Sequence, residues 1–185
     1  MTALLKENDE PFTFKDYLKW EAENDEKHEY FGGQVFAIAG ASDHHDLVVV
    51  NLLSAIHRHL KGKGCRAYSA DMKLKVSLKH ADAGYYPDIM VVCDPADSHS
   101  HFKTRPKVIV EVMTDFRRDQ VEKFMVYQTI ESLEDYVIIS QEPDEAKAWI
   151  YRRATGWNQE IVKPGETINI RSIEFSIPLD ELYQA

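Results

Sequence analysis

At 185 residues the chain suits one domain, and its 44% hydrophobic and 29% charged composition can bury a core and excludes the disordered regime. No apolar run approaches the ~18 residues a membrane-spanning helix needs, and the start, Met1-Thr2-Ala3-Leu4-Leu5-Lys6-Glu7, lacks the flank and core of a secretory signal. A net charge of −9 argues against binding nucleic acid through a diffuse basic surface, leaving a locally basic cleft whose carboxylates a cation screens.

In chain order, residues 1–11 read as a frayed segment and residues 12–183 as a single domain. Thr13 followed by Asp16 has the form of a capping box, opening an amphipathic helix that runs to about Glu23. Tyr30, Val35, Phe36 and Ile38 around Gly32-Gly33 predict a hairpin over 29–39. Val49, Leu52, Leu53, Ile56 and Leu60 recur at helical spacing over 45–60, and Gly62 and Gly64 stop that helix. Strand-like stretches follow at 65–78, 86–93 and 107–113. A second helix over 115–130 is expected to bury Val121, Phe124, Met125 and Tyr127. An apolar strand at 136–140 comes next, then antiparallel strands near 146–153, 158–162 and 168–170, and a closing segment at 177–183. The order predicts an α+β (α/β-like) architecture, a mixed sheet flanked by helices, with one crossover unit joining 107–113 to 136–140. Cys65 and Cys93 read as isolated thiols of a reducing compartment, so the expected location is cytoplasmic.

Acids stand where acids are out of place. Asp88 follows Pro87 and precedes Ile-Met-Val-Val, and Glu111 interrupts Val108-Ile-Val and Val112-Met. Acids are depleted from strand interiors, and an uncompensated buried charge costs several kcal/mol. A shared cation removes that cost. Mg²⁺ takes hard oxygen ligands and often only one or two protein carboxylates. Glu29 is a third candidate acid, at the start of the hairpin. The bland alternative makes Asp88 a turn residue and pairs Glu111 with Arg105 or Lys107. Lys123, in the helix after Glu111, is long enough to reach a strand-borne site, where it would orient an attacking water or offset phosphate charge. Its alternative is a surface pair with Asp119, four residues earlier.

One ordered set of motifs ties these residues together: Glu29-Tyr-Phe-Gly-Gly-Gln, Ser42-x-x-His45 leading to Asn51, Tyr86-Pro87-Asp88, Val110-Glu111-Val112-Met113, Asp119 through Lys123 with Tyr127, and Ser132-Leu-Glu-Asp-Tyr-Val-Ile-Ile. The set resembles the restriction-endonuclease-like family of the PD-(D/E)XK nuclease superfamily, long catalogued as a domain of unknown function. The resemblance implies a restriction-endonuclease-like core, a mixed twisted β-sheet flanked by helices, that binds Mg²⁺ or Mn²⁺. Asp88 matches the family's Pro-Asp motif and Glu111 its second acid. Met113 stands where many members carry the catalytic lysine, and Lys123 on the next helix matches its relocated form. Glu29 matches an early acid, the Val112 carbonyl is a further metal ligand, and His45 faces the substrate cleft. The sequence departs from the pattern at Gln34, where an acid is more usual, and in the shortened loop Met113-Thr-Asp-Phe-Arg-Arg. There Asp115 adds negative charge that Arg117 and Arg118 would offset near a phosphate path. The implied activity is a Mg²⁺-dependent endonuclease acting on DNA, as a homodimer if it cuts both strands. The alternative is a catalytically degenerate nuclease fold serving as a binding or assembly module.

The remaining candidates read blandly. His44 and His45 diverge by about a hundred degrees on a helix and do not share an ion. His57 and His59 read as polar-face residues, and His99 and His101 as loop residues. Lys73 and Lys75 share a strand face, either a phosphate-contacting strip or, more simply, a solvated one. Phosphate-loop, dinucleotide and nucleophile-elbow patterns are absent.

Overall fold

Local signals set the first elements of the computed structural model, which describes residues 3–4, 12–38, 40–113 and 118–185. A two-residue strand β1 (Ala3–Leu4) precedes α1 (Phe14–Glu21). The capping box forms: the Thr13 hydroxyl accepts from the Asp16 N–H, and the Asp16 carboxylate accepts from the Thr13 N–H. β2 (His28–Phe31) and β3 (Gln34–Ala37) make the expected hairpin, with Gly32 and Gly33 at φ 55° and 94°, values an L side chain rarely adopts. The Ser42 hydroxyl caps α2 (Asp43–Leu60) by accepting from the His45 N–H. α2 buries Val48, Leu52, Ile56 and Leu60, with Val49 and Leu53 flanking that stripe.

The remaining strands are β4 (Arg66–Ser69), β5 (Lys73–Ser77), β6 (Asp82–Tyr85), β7 (Ile89–Val92), β8 (Phe102–Lys103), β9 (Pro106–Met113), β10 (Asp135–Ser140), β11 (Ala148–Arg152), β12 (Gln159–Val162), β13 (Thr167–Ile170) and β14 (Phe175–Pro178), with α3 (Arg118–Tyr127) between β9 and β10. They form two six-stranded sheets and a hairpin. The first sheet runs β1-β3-β2-β6-β5-β8, the second β12-β11-β10-β9-β7-β4, and β13 pairs β14. The single mixed sheet read from the sequence thus divides. Residues 65–78 turn at Ala70-Asp71, so β4 joins β7 while β5 joins β6 and β8. β1 pairs β3 as an edge strand inside the stretch read as frayed.

The predicted crossover is present: β9 and β10 are parallel through α3, while β7 runs antiparallel to β9. β9 is therefore buried on both faces. Val108, Val110 and Val112 face a core with Val137, Ile139, Ile150 and the α2 stripe. Ile109 and Met113 face a second core with Met90, Tyr136, Ile138 and Tyr127. Glu111, between them on the strand, shares their face. The C-terminus is pinned to α2, where the Asn51 side-chain amide donates to the carbonyls of Leu182 and Gln184.

Two expectations are corrected. Val121 and Met125 on α3 are 43% and 64% exposed. The inward direction of α3 is set by Lys123 and Tyr127, and residues two places from Lys123 lie about 200° around the helix. Cys65 and Cys93 are joined in a disulfide, because continuing the antiparallel β4–β7 register by one pair sets them opposite each other. The inference from separate thiols to a reducing compartment falls with it. Among the described residues, no helix is long and apolar enough to cross a membrane.

Candidate active site

β7 and β9 bring the first two acids together. Ile89 pairs with Val110, and continuing that antiparallel register by one residue sets Asp88 across from Glu111 on the same face. Asp88 is locked at both oxygens: Oδ2 accepts the Val112 N–H at 2.7 Å, and Oδ1 lies 3.2 Å from His45 Nε2, at the N-terminal end of α2. Glu111 is 5% exposed, and its Oε1 accepts from the Tyr127 hydroxyl at 2.9 Å. The first sheet contributes Glu29 from β2, and α3 contributes Lys123, whose Nζ lies 2.6 Å from Glu29 Oε1. That pair is deeply buried, the side chains being 12% and 6% exposed. The Lys123 ammonium also lies 5.5 Å from the centre of the Tyr85 ring, an added cation–π contact. The candidate site thus takes groups from both sheets and two helices.

The electrostatics follow from three carboxylates gathered around one ammonium. Burial pushes the Glu111 carboxyl up to about 8; Asp88 and Glu29 push the same way, against Lys123 and the Tyr127 hydroxyl. Burial disfavours the charge on Lys123, yet Glu111, Glu29 and Asp88 outweigh it and hold the ammonium above its ordinary range. The hydrogen bond to Asp88 raises His45, against a smaller effect of burial. A cluster with more carboxylates than ammoniums, in a site that drives a carboxyl to take up a proton, suits a hard divalent cation. The donors fit one held by two carboxylates, with water and substrate completing its shell. Among the described residues no three His, Cys, Asp or Glu side chains form a ready-made ion cage.

Each expected site residue can now be placed. Asp88, Glu111, Glu29, Lys123 and His45 converge, and the Val112 backbone lies beside Asp88. Arg117 lies outside the described residues, as do Asp115 and the Arg118 side chain. Neither pairing offered for Glu111 forms among the described residues: Arg105 pairs with Asp94 and Lys107 with Glu134. His44 and His45 diverge as predicted, His44 toward Glu142 at 3.4 Å. His59 is no idle polar-face residue, since its Nε2 lies 2.8 Å from the Ile173 carbonyl and its ring packs on Phe175. Lys73 and Lys75 lie against Tyr86 and Phe14 rather than forming an open strip.

Two features of the site's surroundings escape the sequence. Tyr127 is expected on the buried side of its helix and stands in the motif set with Lys123, but no polar role is assigned to it there; its place four residues after Lys123 is the signal for one. Behind Pro87-Asp88 lies a buried network in which Glu21 accepts from the Tyr86 hydroxyl at 2.7 Å and the His28 N–H at 2.9 Å. Its partners come from α1, β2 and the turn before β7, so no local pattern signals it.

A mixed sheet with acids on adjacent strands and a lysine on the crossover helix is a nuclease-type core. The sequence profile of the Uma2 family, described as "Putative restriction endonuclease", matches residues 14–180, and the chain belongs to that family. It is similar to the uncharacterized protein slr1290 of Synechocystis sp., with 31% identity over 92% of this chain and 90% of the relative. A second Synechocystis relative, the uncharacterized protein sll1609, is 28% identical over 80% of this chain and 90% of its own length. Among solved structures, one described as "a putative nuclease belonging to DUF820 from Anabaena variabilis" matches with a TM-score of 0.74 at 18% identity, covering 94% of this chain and 98% of that one. At that identity the match establishes the fold.

Proposed function

We propose that this chain is a metal-dependent endonuclease that hydrolyses phosphodiester bonds in DNA. The convergence of Asp88, Glu111 and Glu29 on Lys123 carries the proposal, and membership of the family described as "Putative restriction endonuclease" supports it. Asp88 and Glu111 would hold Mg²⁺ or Mn²⁺, with the Val112 carbonyl as a further oxygen. Such an ion, when bound, supplies Lewis-acid polarisation of the phosphate and a more acidic water. Glu29 keeps the Lys123 ammonium charged and aimed, and Lys123 offsets charge developing on the scissile phosphate. His45 braces the Asp88 carboxylate from the α2 side, where it would also meet substrate, with Arg117 and Arg118 as further phosphate contacts. Severing both strands of a duplex calls for two copies of the site, hence a homodimer on DNA.

The test is Asp88→Asn, which keeps the side chain's size and an oxygen for the Val112 N–H. With Mn²⁺ or Mg²⁺ present, cleavage of plasmid DNA is expected to fall at least about a hundredfold while circular dichroism stays unchanged. Equal cutting by wild type and variant overturns the mechanism, and cutting of RNA but not DNA overturns the substrate. One observation favours a second reading, the lack of a ready-made three-ligand cage among the described residues. A degenerate nuclease fold used for binding or assembly would give no heat on calorimetric titration with Mn²⁺.

A further inference from the structure

Resting on the metal-site reading above, we infer that Tyr127 is the positioning residue that orients the Glu111 carboxylate toward the ion. Glu111 lies in a strand paired on both sides, by β7 and β10, so its backbone has no freedom to swing. What stays free is the side-chain rotamer, and a carboxylate with several accessible rotamers makes a poor ligand. The Tyr127 hydroxyl removes that freedom by occupying Oε1 at 2.9 Å. Among the described residues no donor bonds Oε2, the oxygen that remains for a cation.

The donor is itself fixed. Tyr127 is fully buried, and its ring meets Tyr85 and Tyr136 edge-on at 5.5 Å each. It follows Lys123 by four residues, so one face of α3 presents both groups to the site. Lys123 takes Glu29 by a charged pair and Tyr127 takes Glu111 by a neutral hydrogen bond. The difference matters: an ammonium bonded directly to Glu111 would compete with the incoming cation, whereas a hydroxyl orients the carboxyl group without placing a rival cation on it. Burial and the neighbouring Glu111 keep the Tyr127 hydroxyl well above its ordinary range, so it stays a donor.

Tyr136 supplies the control. It belongs to the same aromatic cluster, is buried, and its hydroxyl has no hydrogen-bond partner among the described residues. Tyr127→Phe and Tyr136→Phe each delete one buried hydroxyl and keep the ring, so both variants retain the packing that folds the core. Calorimetric titration with Mn²⁺ is expected to show affinity about 10- to 100-fold weaker for Tyr127→Phe, the range for losing a group that orients a metal ligand. Tyr136→Phe is expected to titrate within about twofold of wild type, since its hydroxyl makes no hydrogen bond to an acid among the described residues. Wild-type affinity in Tyr127→Phe overturns the inference, as does an equal loss in Tyr136→Phe, which would trace the effect to the cluster. If wild type itself takes up no Mn²⁺, the metal-site reading fails and the inference falls with it.

Discussion

Glu111 is the side chain least expected where it stands, an acid in an eight-residue strand buried on both faces. Its oddity and that of Asp88 can be read directly from the sequence, because acids inside apolar strands violate local preference. The partners cannot be read that way: Lys123 meets Glu29, far away along the chain, because the tertiary fold brings β2 to α3. Removing one member of such a buried pair typically destabilises by about 3–5 kcal/mol, so the contact is structural as well as chemical. Glu111 also gives a pH dependence. In the folded, metal-free protein its carboxyl stays protonated up to about 8, whereas it releases its proton near 4.5 when unfolded. Between those values the folded state binds more protons, so stability falls as pH rises, by up to about 1 kcal/mol per pH unit, and levels off above the folded value. The urea midpoint in EDTA should therefore drop for wild type from pH 5 to pH 8 relative to Glu111→Gln. Parallel curves would mean that Glu111 is ionised throughout.

Among the elements, α1 and β6 show how tertiary packing overrides local signal. The capping box of α1 is readable because it is a contact between near neighbours in sequence. β6 is not, since Asp82-Ala-Gly-Tyr carries two poor strand formers and little alternation. Its Gly84 is there for the helix: a Cβ would lie 2.9 Å from Phe14 Cε2, 3.1 Å from Tyr17 Cε1 and 3.4 Å from Tyr30 Cβ. Those rings fill the core under α1, whose last residue, Glu21, anchors Tyr86 before the Pro87-Asp88 turn. Gly84→Ala should therefore lift α1 from the sheet and cost about 1–3 kcal/mol, the usual range for overpacking. Gly40→Ala, where a Cβ meets nothing within 4 Å, serves as the comparison. A chemical-denaturation midpoint for Gly84→Ala equal to that of Gly40→Ala would show that the rings yield without loss.

At the scale of the whole molecule, the longer apolar strands are readable, whereas the short strands β1, β6 and β8 and the partition between two sheets are not. Residues 65–78 read as one extended stretch because nothing local says that β4 and β5 pair in different sheets. The same long-range register hides the disulfide: Arg66 faces Val92, so Cys65 meets Cys93 across the next pair although 28 residues separate them along the chain. That bond closes a loop containing β4 to β7, and with it the Asp88 turn. In the chain-entropy view a loop of this length restricts the unfolded ensemble by about 3–4 kcal/mol. Reduction should therefore lower the guanidinium midpoint markedly, and a Cys65→Ser/Cys93→Ser variant should match reduced wild type and ignore dithiothreitol. The bond joins the end of β7 remote from Asp88, so Mn²⁺ affinity should stay the same in both redox states below the unfolding transition. Two titratable thiols in protein purified without reductant, with a midpoint indifferent to dithiothreitol, would show instead that the strand pairing holds these sulfurs together without a bond.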